Sequence, residues 1–184
     1  MEMIPRKTCR DAMQGLKVLL AFAALSFWHL FLLPIEPVFA GNSARQVVEK
    51  LHTELLEVMK RADMLGYPGR YQRLSPLVTT SYDLPFMAQV VVGRQWRQFS
   101  DEQKSTFVEM FSKLSVATHA ARFDGFSGQS FEIRSEEPHR KGRILVKSVL
   151  IKSNGEEIEL DYLLHQRENC WRIMNVIAEG VRHL

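Results

Sequence analysis

Apolar residues recur every three or four positions through the first half of the chain beyond residue 42, and this spacing predicts amphipathic helices. The first apolar stripe runs over residues 47–65, and Asn42 or Ser43 can cap the helix that carries it. Gly66 and Pro68 follow the stripe, and both residue types end helices. We therefore expect one long helix that ends before Gly66.

Three further helices are predicted before residue 125. A short helix over 71–78 is interrupted by Pro76, because proline lacks the amide hydrogen that the helix needs. A third helix runs over 83–93 and can be capped by the carboxylate of its first residue. The fourth runs over 100–124 and begins with a capping box, in which a serine and a glutamine three residues later can exchange hydrogen bonds.

The periodicity changes to two from Phe131 onwards, which predicts strands. Residues 144–151 and 158–164 alternate and are rich in β-branched types, and the Asn-Gly pair at 154–155 predicts a hairpin between them. A turn at 168–169 leads to a last strand that is expected to present on one face Trp171, Ile173, Asn175 and Ile177. Three or four antiparallel strands after at least three helices indicate an α+β fold. In it the N-terminal helices pack on one face of a curved antiparallel sheet, in a single domain over 41–184.

The first forty residues have the order of a secretory signal peptide. An uncharged apolar run over 18–33 is followed by Pro34 and Pro37, and then by the Val-Phe-Ala sequence at 38–40. The basic residues that precede the run are Arg6, Lys7, Arg10 and Lys17. We expect cleavage after Ala40, because the peptidase accepts small side chains there. The alternative is an uncleaved inner-membrane anchor, although the run of 16 residues is shorter than the ~20 that span a bilayer.

Composition narrows the class of protein. The 184 residues are 46% hydrophobic and 24% charged, with two cysteines and a formal net charge of +3. This composition excludes a disordered chain and a disulfide scaffold, and the small charge argues against a nucleic-acid partner. The mixed charges of residues 134–143 predict a solvated loop between strands, and a docking surface is the alternative.

The sequence carries no catalytic or metal-binding motif that would indicate an enzyme or a cofactor. Its six histidines lack the spacing of a zinc site, and no phosphate-binding loop or nucleophile elbow is present. His119 and Asp124 could form an acid–base pair, but a contact at a helix end is the more ordinary interpretation. Asp161 and His165 alternate with apolar residues, so we expect them to face solvent.

Several motifs resemble those of a known family in their order and spacing. They are Tyr-Asp-Leu-Pro-Phe-Met at 82–87, Val-Gly-Arg-Gln-Trp at 92–96, the Phe107/Phe111 helix, 123–132, Leu-Asp-Tyr at 160–162 and 171–181. Together these motifs resemble the MlaC family, the toluene-tolerance or Ttg-type periplasmic lipid-binding proteins. The Phe-Asp-Gly-Phe-Ser-Gly stretch at 123–128 is most similar to the hopanoid-associated HpnM branch. Asn175 stands where the family usually has Asp.

The resemblance implies a soluble carrier that needs neither catalytic residues nor a cofactor. Such a carrier holds a phospholipid, or a hopanoid, in an apolar cavity between the helices and the sheet. It exchanges this lipid with an outer-membrane lipoprotein complex and an inner-membrane ABC transporter, and so maintains outer-membrane lipid asymmetry. The residues that we assign to the cavity are Phe86, Val90, Val91, Phe107, Met110, Phe111, Leu114, Ile144, Val146, Ile158, Leu160, Tyr162, Trp171 and Ile173.

Two other functions stay open at the level of sequence. An enzyme with a similar cavity would need inward polar groups, and Asp83 and Tyr162 are the candidates. A membrane-tethered binding or assembly module without transferred cargo would use the long apolar run as its anchor. We expect Trp96 to lock the junction after the third helix rather than to contact lipid.

Overall fold

The structure, a computed structural model, describes residues 43–178 and the backbone of 181–183. The predicted signal peptide and its cleavage site, residues 1–40, lie outside this range. The helices are α1 (Ala44–Lys60), α2 (Ala62–Ser81), α3 (Leu84–Val92), a 3₁₀ helix (Gly93–Gln98) and α4 (Asp101–Arg122). The strands are β1 (Ser130–His139), β2 (Arg143–Ile151), β3 (Glu157–Arg167), β4 (Cys170–Ala178) and β5 (Val181–His183). Helices first and antiparallel strands second confirm the α+β class.

The first helical stripe belongs to two helices rather than one. Ser43 and Gln46 form the capping box that begins α1. The predicted continuation to residue 65 was wrong, because α1 ends at Lys60 and α2 begins at Ala62. The stop predicted at Gly66 is instead a kink within α2, where this residue has φ 57° and ψ −179°, a conformation open to glycine alone.

Helix α2 continues to Ser81, beyond the short interrupted helix that we predicted. Pro68 lies in the first turn after the kink, where a missing amide hydrogen costs no helical hydrogen bond. Pro76 lies farther inside, and the helix persists around it because its neighbours Leu74, Leu77 and Val78 are buried in the core. Tertiary packing thus outweighs the local effect of this proline.

Both predicted caps of the later helices are confirmed. The Asp83 carboxylate accepts a hydrogen bond from the Phe86 amide at the start of α3, and Ser100 with Gln103 forms the capping box of α4. The 3₁₀ helix between α3 and α4 was not predicted. It begins at Gly93, whose φ of 65° and ψ of −131° turn the chain sharply at the end of α3.

The strands form one antiparallel sheet in the order β1-β2-β3-β4-β5, with β1 and β5 at its edges. We expected three or four strands. The described part of the chain has four long strands and a fifth of three residues. The loop predicted over 134–143 was wrong, because β1 extends to His139 and β2 starts at Arg143. The charged residues Glu132, Arg134 and Glu136 of β1 are exposed, as is usual for an edge strand.

Strand β4 contains an irregularity that separates residues predicted to share a face. Leu164 pairs with Ile173, but the neighbouring Leu163 pairs with Asn175, so Met174 is an extra residue opposite β3. Because successive side chains point to opposite faces, Ile173 and Asn175 lie on opposite sides of the sheet. The predicted common face was therefore wrong.

The core lies between the helices and one face of the sheet. Helix α1 crosses this face and contacts β1, β2, β3 and β4. Side chains of all four α-helices and the sheet form one apolar cluster whose largest fully buried members include Leu51, Leu55, Leu74, Leu164 and Ile173. This cluster fills the space between α1 and the sheet. The site described below lies outside the cluster, against α3 and the 3₁₀ helix.

Candidate functional site

A pocket of about 600 Å³ lies against α3 and the 3₁₀ helix. This volume is within the usual range of small-molecule sites. Most of the exposed surface of the pocket is apolar, and its lining residues are Phe86, Gln89, Val90, Gly93, Arg94, Trp96 and Arg97.

The break at Gly93 gives the pocket its shape. A side chain at this position would meet no atom within 4 Å, so the glycine is required by its positive φ and not by crowding. The 3₁₀ helix that follows has three residues per turn, so residues three apart eclipse one another. Arg94 and Arg97 therefore lie on the same side of this helix, and both line the pocket.

A row of aromatic rings connects the pocket to the core. Trp96 lines the pocket, and its ring centroid lies 6.0 Å from that of Phe99 and 6.3 Å from that of Phe107. Phe107 stacks on Phe111 at 6.4 Å, and Phe111 packs against the core cluster. Trp96 thus secures the helix junction, as we expected, and also forms part of the pocket lining, which we did not expect.

Asp83 anchors the pocket helix to the sheet. Its side chain is 3% exposed, and it accepts hydrogen bonds from His165 Nε2 at 2.9 Å and from Arg167 Nη1 at 3.0 Å. The same carboxylate caps α3, three residues before Phe86 enters the pocket wall. The expectation that His165 faces solvent was wrong, because the α2–α3 junction passes over it.

The backbone of the junction also joins the sheet. Tyr82 forms an isolated parallel bridge with Ile173, and the amide of Asp83 donates a hydrogen bond to the carbonyl of Ile173 at 2.8 Å. Arg172 donates to the carbonyl of Thr80 at the end of α2. The junction thus runs along the part of β4 that does not pair with β5, and this attachment sets the position of α3.

Two histidines, of which His52 is buried and His119 is half-buried, pair with tyrosines inside the fold. His52 Nε2 lies 3.2 Å from the Tyr162 hydroxyl, and the imidazole stacks on Phe131 at 4.2 Å. Burial lowers the pKa of His52 to about 4 and raises the pKa of Tyr162 well above its usual value. His52 is therefore neutral at pH 7, and the pair is a packed polar contact within the core.

The second pair joins α4 to the end of α2. His119 Nδ1 lies 2.8 Å from the carbonyl of Ser115, so this nitrogen carries the proton and donates it. Nε2 then accepts from the Tyr82 hydroxyl at 3.2 Å. Burial lowers the pKa of His119, which favours the neutral form of the ring. The hydrogen bonds of His119 go to these two groups and not to Asp124, the partner that the sequence suggested.

The structure separates the residues that we assigned to the cavity. Phe86 and Val90 line the pocket, and Phe107 belongs to the aromatic row beside it. Exposed on the surface are Val91 at 46%, Met110 at 65% and Leu114 at 64%. In the core or packed against it are Phe111, Ile144, Val146, Leu160, Tyr162, Trp171 and Ile173, and Ile158 is half-buried. Of the residues that we assigned to the cavity, those that line the pocket therefore come from the helices, and most of those from the strands belong to the core.

Sequence reasoning missed the polar part of the lining. Gln89, Arg94 and Arg97 were not assigned to the site, because we selected apolar side chains alone. The available signal was the Arg-Gln-Trp-Arg sequence after Gly93, which sets two cations beside an aromatic ring.

Neither a metal cluster nor a membrane span is found within the described range. None of its groups of three or more His, Cys, Asp and Glu side chains could hold a metal ion. None of its helices is long and apolar enough to cross a membrane.

The fold and the pocket define a small α+β protein with a ligand-sized, mostly apolar site at one end of its helical layer. The sequence model of the family described as MlaC protein matches residues 49–184, and the chain belongs to this family. The resemblance seen in the sequence motifs is thereby confirmed for the family, and the HpnM branch stays a prediction.

Known proteins that are similar to this chain include a curated relative and a solved structure. The intermembrane phospholipid transport system binding protein MlaC of Haemophilus influenzae is 23% identical over 168 residues, which cover 89% of this chain and 72% of that protein. The phospholipid-binding protein of Ralstonia solanacearum, solved in complex with a phospholipid, aligns with a TM-score of 0.67 and 20% identity. This alignment covers 76% of this chain and 80% of the Ralstonia chain, and it shows that the two share a fold.

Proposed function

We propose that this protein is a periplasmic carrier that holds a phospholipid by its acyl chains and moves it between the outer and inner membranes. The observation that carries the proposal is the apolar pocket of about 600 Å³ against α3 and the 3₁₀ helix, in a chain of the MlaC family. The Haemophilus relative is named for phospholipid transport, and the Ralstonia protein was solved with a phospholipid, which supports this class of ligand.

A carrier is required by the free energy of the free lipid in water. Each methylene moved from an apolar environment into water costs ~0.8 kcal/mol. The transfer of a lipid with ~30 methylenes into water would thus cost on the order of 20 kcal/mol of free energy if the lipid crossed the periplasm without a protein. A protein needs only a dry surface for the acyl chains to remove this cost, and no catalytic group is involved.

The acyl chains enter, in this proposal, from the pocket into the space between α3 and α4. These two helices are in contact, and they expose large apolar side chains at Val91, Met110 and Leu114. Burying such surface against a lipid is favourable, and Phe107 and Phe111 supply an aromatic wall behind it. The Asp83 anchor holds the start of α3 while its far end moves to admit the chains.

The carrier would work with an outer-membrane lipoprotein complex and an inner-membrane ABC transporter. Export by the segment 1–40 and cleavage after Ala40 would release the domain between these partners. N-terminal sequencing of the exported protein tests this part, since the mature chain should begin at Gly41. A retained Met1 would instead favour the membrane-tethered module.

Lipid extraction of the purified exported protein, followed by mass spectrometry, tests the proposal as a whole. We expect a phospholipid in roughly equal molar amount to the protein. Extraction of a hopanoid would change the ligand class and support the HpnM branch. A protein that contains no lipid and takes none from phospholipid vesicles would overturn the carrier and favour the binding or assembly module.

A further inference from the structure

The pocket contains two cations that nothing in the described part of the chain neutralises. Arg94 and Arg97 both line it, and neither makes a hydrogen bond or ion pair with any described residue. Arginines elsewhere, such as Arg45, Arg73 and Arg167, pair with carboxylates. The lining contains no Asp or Glu, so the pocket has two positive charges and no negative one.

The arrangement of the two guanidinium groups suits a single anion. They extend from the same side of one short 3₁₀ helix, three residues apart, so they can approach one group from adjacent directions. Gln89 of α3 lines the same pocket and adds an amide donor. Guanidinium is weakly hydrated and forms two parallel hydrogen bonds with phosphate oxygens, which makes arginine the usual residue for this ligand.

The apolar part of the pocket indicates what the anion is attached to. Phe86, Val90 and Trp96 lie in the same lining as the two arginines, and the aromatic row leads from Trp96 towards the core. A lipid phosphate presents this combination, a charged diester joined to acyl chains. An uncharged lipid would fill the apolar part and leave both guanidinium groups without a partner.

We propose that Arg94 and Arg97 form a phosphate-binding subsite that makes the pocket select lipids with a phosphodiester over uncharged lipids of the same chain length. This inference rests on the proposed lipid-carrier function and adds a specificity-determining pair to it. Both arginines are exposed, so salt and water screen the contact, and we expect a preference of about tenfold.

A competition experiment with the full exported protein tests the subsite. The protein, stripped of lipid, is incubated with equal amounts of phosphatidylglycerol and diacylglycerol that carry identical acyl chains, and the bound lipids are extracted and quantified. We expect about tenfold more bound phosphatidylglycerol. The Arg94→Gln/Arg97→Gln double variant should bind the two lipids equally, because it lacks the contact that favours the phosphodiester.

A matched variant controls for the loss of net charge. Arg61→Gln/Arg140→Gln removes the same two charges from exposed positions outside the pocket lining, and it should keep the tenfold preference. Urea unfolding of each variant confirms that its fold is intact. A preference that survives in the Arg94/Arg97 variant, or an equal uptake of the two lipids by the unaltered protein, would overturn the subsite.

Added inorganic phosphate distinguishes a lipid headgroup from a free anion. The acyl chains hold the lipid phosphate near the arginines at high effective concentration, so phosphate equimolar with the lipid should leave the preference unchanged. Loss of the preference under these conditions would assign the arginines to free phosphate and overturn the headgroup subsite. If the unaltered protein binds neither lipid, the carrier function itself fails, and this outcome is distinct from equal binding of both.

Discussion

The carboxylate of Asp83 and the imidazole of His165 are joined by a 2.9 Å hydrogen bond across 82 residues of sequence. Asp83 precedes the helix that forms the pocket wall, and His165 lies near the end of β3. This contact, with Arg167 on the same carboxylate, ties the pocket helix to the sheet. The position of the site therefore depends on a buried acid that is not itself among the residues lining the pocket.

Replacing this acid should destabilise the protein. Asp83→Ala removes the cap of α3 and the charged hydrogen bonds to His165 and Arg167, so the free energy of unfolding should fall by about 3 kcal/mol. Asp83→Asn keeps a good cap and should lose about half as much. Urea unfolding measures both values, and an unchanged unfolding free energy in Asp83→Ala would contradict the anchor role.

Filling the pocket should reduce lipid binding. Val90 lines the pocket and is 38% exposed, so Val90→Trp should place the larger ring where an acyl chain would lie. We expect the lipid bound per protein to fall several-fold, with little change in stability. Met64→Trp is the matched control, because Met64 is 69% exposed on α2 and belongs neither to the lining residues nor to the surface of α3 and α4 proposed for the acyl chains. Equal lipid content in the two variants would place the chains elsewhere.

The turn after α3 should not tolerate a side chain. Gly93→Ala meets no neighbouring atom but must adopt a φ of 65°, so it should cost about 2 kcal/mol of backbone strain. Gly125→Ala is the control, because this glycine also has open space around it but no positive φ. Thermal or urea unfolding of both variants should show a loss for Gly93→Ala alone. A similar result for both would mean that the conformation of Gly93 relaxes without cost.

Acid should weaken the fold through its buried histidines. Burial lowers the pKa of His52 from 6.5 to about 4, so between these values the unfolded chain binds a proton that the folded protein does not. Stability therefore falls as the pH drops through this window, and His52 alone should account for about 2 kcal/mol at pH 5. The lowered pKa of His119 acts in the same direction.

The variant His52→Gln isolates this contribution. Glutamine can still bond to the Tyr162 hydroxyl but does not titrate, so the loss of stability between pH 7 and pH 5 should shrink by about 2 kcal/mol. Urea unfolding at both pH values measures the difference. The same pH dependence with and without His52 would show that the histidine takes up its proton in the folded state.

Local patterns were sufficient for the class of fold and for most element types. The capping residues Ser43, Asp83 and Ser100 each begin a helix, because a cap acts on amides only two or three residues away. The alternation of 144–151 and the Asn-Gly pair at 154–155 likewise predict β2 and the turn before β3 from neighbouring residues alone.

The errors occurred where distant residues decide the structure. Pro76 remains inside α2 because the helix is buried on the core, and β1 forms from a charged segment because β2 lies beside it. The extra residue at Met174 depends on how β4 pairs with β3, and no local spacing reveals it.

The sequence by itself determined the α+β order, the caps and the family, since each of these is written in spacings of a few residues or in motif order. Only the tertiary structure decided which apolar side chains belong to the core and which face a pocket. The same apolar spacing along a helix is compatible with either position. It also brought Arg94 and Arg97 into an apolar site and joined Asp83 to His165. Contacts of this kind depend on how distant segments of the chain pack together, and neither composition nor local spacing predicts them.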